Sequence, residues 1–197
     1  MRSLLLNASP HGPASRAFGM ARTFLENNAQ RYGDGPVIVR DLVASPLPPI
    51  SVDYATAITS REPDPAHFVL SEQLIEEIEA TSFLAIATPM HNFTVPAALK
   101  LWIDYVLRIG RTFANTPEGK VGLLRDRPTI VIIGSGGFHT GENARQPDFL
   151  TPYLRHALGC IGIKDVTFFP MQGMVIPPQA EQAMLDCERD LSRYLAR

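Results

Sequence analysis

Ser9 and Ser15 are the first residues of this chain whose type and placement could do chemistry. They lie in Ala8-Ser9-Pro10-His11-Gly12-Pro13-Ala14-Ser15-Arg16-Ala17, between an apolar run at 2–7 and a helical pattern that starts at residue 15. The first N–H groups of a helix have no intrahelical acceptor, and the helix end carries partial positive charge, so a strand–loop–helix of this kind holds anions. Serine hydroxyls there add donors. The loop contains neither G-x-x-x-x-G-K-[ST] nor G-x-G-x-x-G, which argues against an NTP triphosphate or a dinucleotide pyrophosphate. A single phosphomonoester, as in FMN, fits better. An ordinary βα turn with Ser15 as helix N-cap is the competing explanation.

The elements that must position this loop alternate. Strands are expected at 3–7, 36–40, 83–88, 129–134 and 165–170, and helices at 15–32, 66–80, 96–109, 147–159 and 179–195. Most of the strand segments are near-continuous apolar runs, the pattern of strands covered on both faces. The repeated βα order predicts an α/β fold over residues 1–197 as one domain, a doubly wound five-stranded parallel sheet with helices on both faces. The flavodoxin-like strand order 2-1-3-4-5 suits it, with ligands at the carboxyl ends of the strands near the switch point. The stretch 41–64, with Pro46, Pro48, Pro49 and Pro63, shows no clear period. It is expected to be a surface excursion that shapes a substrate or partner surface, or a passive connector.

A flat ligand at that switch point requires unusual ends on the third and fourth strands as well as the first. The third is followed by Thr88-Pro89-Met90-His91-Asn92-Phe93-Thr94-Val95-Pro96 and the fourth by Gly134-Ser135-Gly136-Gly137-Phe138-His139-Thr140-Gly141. Glycines let a planar ring approach the backbone. Amides, Asn92 and apolar flanks supply the mixture that a heteroaromatic ring needs.

These segments resemble the FMN-dependent NADH-azoreductases, a group of flavodoxin-like quinone reductases. The Pro89-Met90-His91-Asn92-Phe93 segment resembles their Pro-Met-Tyr-Asn-Phe, with His91 in place of tyrosine. It is followed by Gly110-Arg111-Thr112-Phe113. Ser135-Gly136-Gly137-Phe138-His139 resembles Ser-Arg-Gly-Gly-(apolar)-His without the arginine, and Leu158-Gly159-Cys160-Ile161-Gly162-Ile163 resembles Leu-Gly-Phe-Ile-Gly-Ile with Cys160 for phenylalanine. The resemblance implies that Ser9, Ser15 and the amides of Arg16 and Ala17 hold the FMN phosphate. Pro89, Met90, His91, Asn92 and Phe93 would line the ribityl chain and ring. Ser135, Gly136, Gly137 and His139 would meet the pyrimidine edge. The implied reaction takes a hydride from NADH or NADPH and passes it, by a ping-pong mechanism, to a quinone or aromatic azo compound. No residue is assigned as catalytic, since the cofactor carries the chemistry.

The helical pattern at 96–109 is apolar around most of its circumference, with Leu99, Leu101, Trp102, Ile103, Tyr105, Val106 and Ile109. Such a helix is buried on two sides. A homodimer across it is expected, and the resemblance implies the same; a thickly covered core helix is the alternative. With a net charge of −2 and no basic cluster, nothing supports nucleic-acid binding. No apolar run spans a bilayer, and Arg2 precedes too short an apolar run for a signal-peptide core, so a cytoplasmic protein is expected. Five histidines lack metal-binding spacing, and no metal is expected. Cys187-x5-Arg193 matches the phosphatase spacing C-x5-R but lies in a charged, glycine-free helical pattern, so the match reads as chance. The rival function is a flavodoxin-like electron carrier docking protein partners, against which the weak net charge argues.

Overall fold

The computed structural model describes residues 2–32 and 35–196. In chain order the elements are β1 Ser3–Asn7, α1 Arg16–Asn27, α2 Ala29–Tyr32, β2 Ile38–Asp41, α3 Val52–Thr59, α4 Val69–Glu79, β3 Phe83–Pro89, α5 Ala97–Val106, β4 Phe113–Thr116, β5 Gly119–Gly122, β6 Thr129–Gly134, α6 Leu150–Cys160, β7 Val166–Met171 and α7 Pro177–Leu195. Five strands form a parallel sheet in the order β2-β1-β3-β6-β7. Its numbering skips two because β4 and β5 form a separate antiparallel hairpin. Counted alone, the five sheet strands follow the order expected from the sequence.

Alternate residues of the central strands enter two different cores, as the period of two requires. Leu4, Leu6, Leu84, Ile86, Val131 and Ile133 belong to one, with side chains of α3, α4, α5 and α6. Leu5, Phe83, Ala85, Ala87, Ile130 and Ile132 belong to the other, with side chains of α1 and α7. This is why the strands read as unbroken apolar runs. No helix among the described residues is long and apolar enough to cross a membrane.

Four expectations need correction. The helix expected over 15–32 breaks at Asn28, whose Nδ2 donates to the Phe24 carbonyl at 2.8 Å and so competes with the helical ladder. The stretch 41–64 contains α3. Ser51 caps it by accepting the Tyr54 N–H at 3.1 Å, and Tyr54 and Ala57 are buried at helical spacing. The hairpin β4–β5 was not anticipated at all.

The fourth concerns α5. Leu99, Trp102, Ile103, Tyr105 and Val106 are all buried within this one chain. The side away from the sheet is covered by the preceding segments: Tyr54 Oη donates to the Tyr105 carbonyl at 3.3 Å, Ser71 Oγ donates to the same carbonyl at 2.7 Å, and Tyr105 Oη donates to the Pro48 carbonyl at 3.0 Å. Most of the helix's apolar circumference is thus buried without a second copy, and only Ala97, Ala98 and Leu101 keep apolar surface outside this cover. The proline-rich stretch serves in part as that cover.

Candidate functional site

β1, β3, β6 and β7 end side by side, with Asn7 opposite Ala87, Pro89 opposite Gly134, and Gly134 opposite Met171. The segments that leave these ends enclose a cleft of about 490 Å3, a usual size for a small-molecule site.

At one end of the cleft lies the loop after β1. Ser9, Ser15, Arg16 and Ala17 line it. Ser15 is the N-cap of α1: its Oγ accepts the Phe18 N–H at 3.3 Å, and its carbonyl accepts the Gly19 N–H at 2.9 Å. The amides of Arg16 and Ala17 precede these in the first turn, where a helix supplies no acceptor. The capping and anion-binding explanations therefore coexist, because Ser15 caps with a lone pair and keeps its proton to donate. Arg16 is exposed and adds positive charge.

The β3 end supplies Pro89, Met90 and His91 to the cleft. His91 and Thr94 exchange two backbone hydrogen bonds, each 3.0 Å. Asn92 and Phe93 between them have φ of 47° and 73°. Two positive φ values in a two-residue turn are the type I′ geometry, which favours glycine at the second position. Asparagine tolerates the left-handed region, whereas phenylalanine is strained there. Both side chains are exposed at the turn rather than lining the cleft. The Phe93 carbonyl accepts the Phe149 N–H at 3.0 Å, so two phenylalanines, 43% and 59% exposed, meet at this turn. Phe93→Gly is expected to raise stability by about 1 kcal/mol by relieving the strain; urea melts of the two proteins check this, and a loss of stability would show the turn to be unstrained.

The β6 end supplies Ser135 and Gly136. Neither the Gly136 nor the Gly137 N–H has an acceptor among the described residues. Gly137 lies off the cleft wall, and a Cβ on it would come 2.7 Å from Gln146 Oε1. His139 is also off the wall and 5% exposed, but its Nδ1 is 3.1 Å from Ser135 Oγ. Ser135 Oγ also donates to the Gly137 carbonyl at 2.8 Å. That carbonyl can only accept, so the Ser135 proton goes to it, and His139 Nδ1–H must be the donor to Ser135. His139 Nε2 then carries a lone pair that is buried and has no partner among the described residues. An orphaned buried acceptor is rare in folded proteins and points to a group that the chain itself does not provide.

Burial pushes the His139 pKa below its ordinary value, with the Asp148 charge opposing weakly. The fold thus prefers the neutral ring. The unfolded chain binds the extra proton first as pH falls below about 6.5. The stability that His139 contributes is therefore full above that pH and is lost as pH falls through the lower folded value. Urea melts between pH 7.5 and 5 should show His139→Gln less acid-sensitive than the parent; equal sensitivity would contradict a buried neutral imidazole.

The structure brings Ser9, Ser15, Arg16, Ala17, Pro89, Met90, His91, Ser135 and Gly136 to one cleft, leaves Asn92 and Phe93 on its adjoining turn, and sets Gly137 and His139 in the segment that supports Ser135. Sequence reasoning quoted His11, Ala14, Thr88 and Gly134 without giving them a role, and missed Met171, Met174 and Val175 at the β7 end. The run Met171-Gln172-Gly173-Met174-Val175 directly after an apolar strand was the available signal. Cys187 lies within α7 and is buried, its thiol pushed up to about 12 by burial and then by Asp190 and Glu188. That is opposite to what a phosphatase nucleophile needs.

These donors fit FMN: an anion seat at one end, unbonded amides at another, and apolar Pro89, Met90, Met171 and Met174 between. The flavodoxin-like fold family matches residues 1–195. The chain is 56% identical over 184 residues to FMN-dependent NADH:quinone oxidoreductase 4 of Pseudomonas fluorescens, covering 93% of this chain and 89% of the relative. It is 54% identical over 196 residues to FMN-dependent NADH:quinone oxidoreductase 5 of Burkholderia lata, covering 98% and 95%. Among solved structures, an azoreductase from Bacillus anthracis superposes with a TM-score of 0.83 at 22% identity, covering 98% of each chain. An FMN-dependent NADH-azoreductase from the same species, in complex with FMN, gives 0.78 at 24% identity, covering 98% and 99%. At such identities the two structures speak for the fold alone.

Proposed function

The chain belongs to the family of FMN-dependent NADH:quinone oxidoreductases within the flavodoxin-like fold, and we propose that it acts as one of them, reducing quinones and aromatic azo compounds with NADH or NADPH. The observation that carries this reading is the cleft in which two serine hydroxyls and free helix amides face one end while uncommitted glycine amides stand at the β6 end. FMN bound there would supply a two-electron carrier that accepts a hydride from the nicotinamide and passes it to the second substrate in a ping-pong sequence.

The residues do the holding. Ser9, Ser15 and the amides of Arg16 and Ala17 take the phosphate. Pro89, Met90 and His91, with the Asn92–Phe93 turn, flank the ribityl chain and the ring. Ser135 and Gly136 serve the pyrimidine edge, with Gly137 and His139 behind them in the segment that supports Ser135. Fixed amide donors at that edge stabilise negative charge without reorganisation. No side chain is assigned a catalytic proton transfer, and solvent supplies the product's proton.

The two sets of core residues on opposite faces support a doubly wound sheet, and the single parallel sheet supports one domain over 1–197. We also propose a homodimer along α5. What supports it is the surface left on that side: exposed Ala97, half-buried Ala98 and Leu101, and exposed Phe93 and Phe149 next to its N-terminus. Both cysteines are free, which suits a reducing cytoplasm.

The deciding experiment is the absorption spectrum of the purified protein under anaerobic NADH, then benzoquinone. Flavin bands that bleach with NADH and return with quinone are expected. Flavin that neither NADH nor NADPH bleaches would favour an electron carrier, and protein that takes up no FMN would end the reading.

A further inference from the structure

A chain of hydrogen bonds runs from the end of β2 to the loop after β1. Asn7 closes β1 and has no exposed surface. Its Nδ2 donates to Asp41 Oδ2 at 2.9 Å, and its Oδ1 accepts the Ser9 N–H at 3.2 Å. Ser9 Oγ in turn accepts the His11 N–H at 3.3 Å. The second carboxylate oxygen of Asp41, Oδ1, accepts the N–H groups of Val43 and Ala44, each at 2.9 Å.

Each link restricts the next. An ionised carboxylate only accepts, so Asp41 dictates which way the Asn7 amide points: its NH2 toward Asp41 and its carbonyl toward Ser9. Burial works against the charge on Asp41, but the Ala44 N–H, the Asn7 amide and the Val43 N–H outweigh it and hold the carboxyl below its ordinary value. Asp41 therefore stays an acceptor through the neutral range. Ser9 has its N–H taken by Asn7 and a lone pair taken by His11. What it still has to offer an anion is its hydroxyl proton, in a side chain that lines the cleft.

We propose that Asn7 and Asp41 are positioning residues that act through Ser9, aiming its hydroxyl proton at the phosphoryl oxygens of the ligand. The proposal rests on the phosphate reading above and adds to it residues on two strands that do not touch the ligand. Asp41 is the first residue of the proline-rich stretch that was expected to shape a substrate surface. Its own part is at the anion seat, which it orients through Asn7. A carboxylate near a bound phosphate would ordinarily repel it; here three N–H groups meet that charge, and Asn7 stands between it and Ser9.

A purely structural tie between β1 and β2 would weaken every flavin alike, whereas a tie acting through Ser9 weakens only those that carry a phosphate. The probes are FMN and riboflavin, titrated by flavin fluorescence into the full-length protein and its Asn7→Ala, Asp41→Asn, Ser9→Ala and Asn7→Ala/Ser9→Ala variants. The parent is expected to prefer FMN over riboflavin. Asn7→Ala should weaken FMN about tenfold and leave riboflavin unchanged, with Asp41→Asn smaller in the same direction. The double variant should bind FMN no more weakly than Ser9→Ala, because residues acting through one contact are non-additive. Equal losses for FMN and riboflavin, or additive losses in the double variant, would overturn the proposal. If Asn7→Ala does not fold, the FMN-to-riboflavin ratio of Asp41→Asn decides: a lower ratio supports the relay and an unchanged one overturns it. A parent protein with no preference for FMN would remove the phosphate reading itself, a result distinct from a normal preference that ignores Asn7.

Discussion

The Ser9→Ala/Ser15→Ala protein should lose FMN on purification. In the proposed anion seat each hydroxyl would give a hydrogen bond to a phosphate oxygen, and hydrogen bonds to charged groups contribute roughly 1.5–3 kcal/mol each. Removing both should raise the FMN dissociation constant by about 100-fold or more, as read by fluorescence titration. The fold itself should change little. Ser15→Ala removes the α1 cap, in which Oγ accepts the Phe18 N–H, at a cost of about 1 kcal/mol. A modest drop in melting temperature together with loss of flavin is the expected combination. Retention of FMN with near-parent affinity would move the phosphate elsewhere in the cleft and leave Ser15 as a cap only.

The second large effect lies far from the cleft. Gly162 has φ of 103°, and a Cβ there would overlap the Leu124 carbonyl oxygen. From the other side, a Cβ on Gly122 would overlap the Gly162 backbone. The hairpin β4–β5 thus docks backbone to backbone on the turn after α6, and the Leu124 N–H donates to the Ile161 carbonyl at 3.0 Å. Gly162→Ala combines a left-handed conformation with a rigid clash and should destabilise the fold by about 2–4 kcal/mol, lowering the melting temperature by roughly 5–15 °C. Gly159→Ala, three residues earlier in α6, is the control: a Cβ there meets nothing within 4 Å, and alanine suits a helix better. Gly159→Ala should be neutral or stabilising. Equal melting temperatures for the two variants would mean that the docking is soft.

Local chemistry made the anion loop legible. A strand, a loop with Ser9 and Ser15, and a helix start are consecutive, and the free amides of a first helical turn follow from helix geometry alone. Hydrophobic periodicity was equally local, so the five sheet strands and most helices were placed within a few residues. The hairpin at 113–122 escaped because its strands are short and polar, with Asn115, Thr116, Gly119 and Lys120, and it is held by docking through Gly122 rather than by pattern. α3 escaped because prolines before it masked the Ser51 cap.

By itself, then, the amino-acid sequence determined the βα alternation, which suits the flavodoxin-like strand order, and the residue types at three strand ends. These depend on neighbours along the chain and on rules that hold for any chain. Only the tertiary structure decided what covers α5, where the proline-rich segment supplies the second side that had suggested a partner. Only it decided that the β7 end joins the cleft through Met171, Met174 and Val175, and that His139 stands behind Ser135 with a lone pair rather than a proton to offer. It alone joined Asp41 to Ser9 through Asn7. The reason is common to all of these: each depends on which hydrogen-bonding groups remain unpaired after distant segments pack, and that tally exists only once the chain has folded.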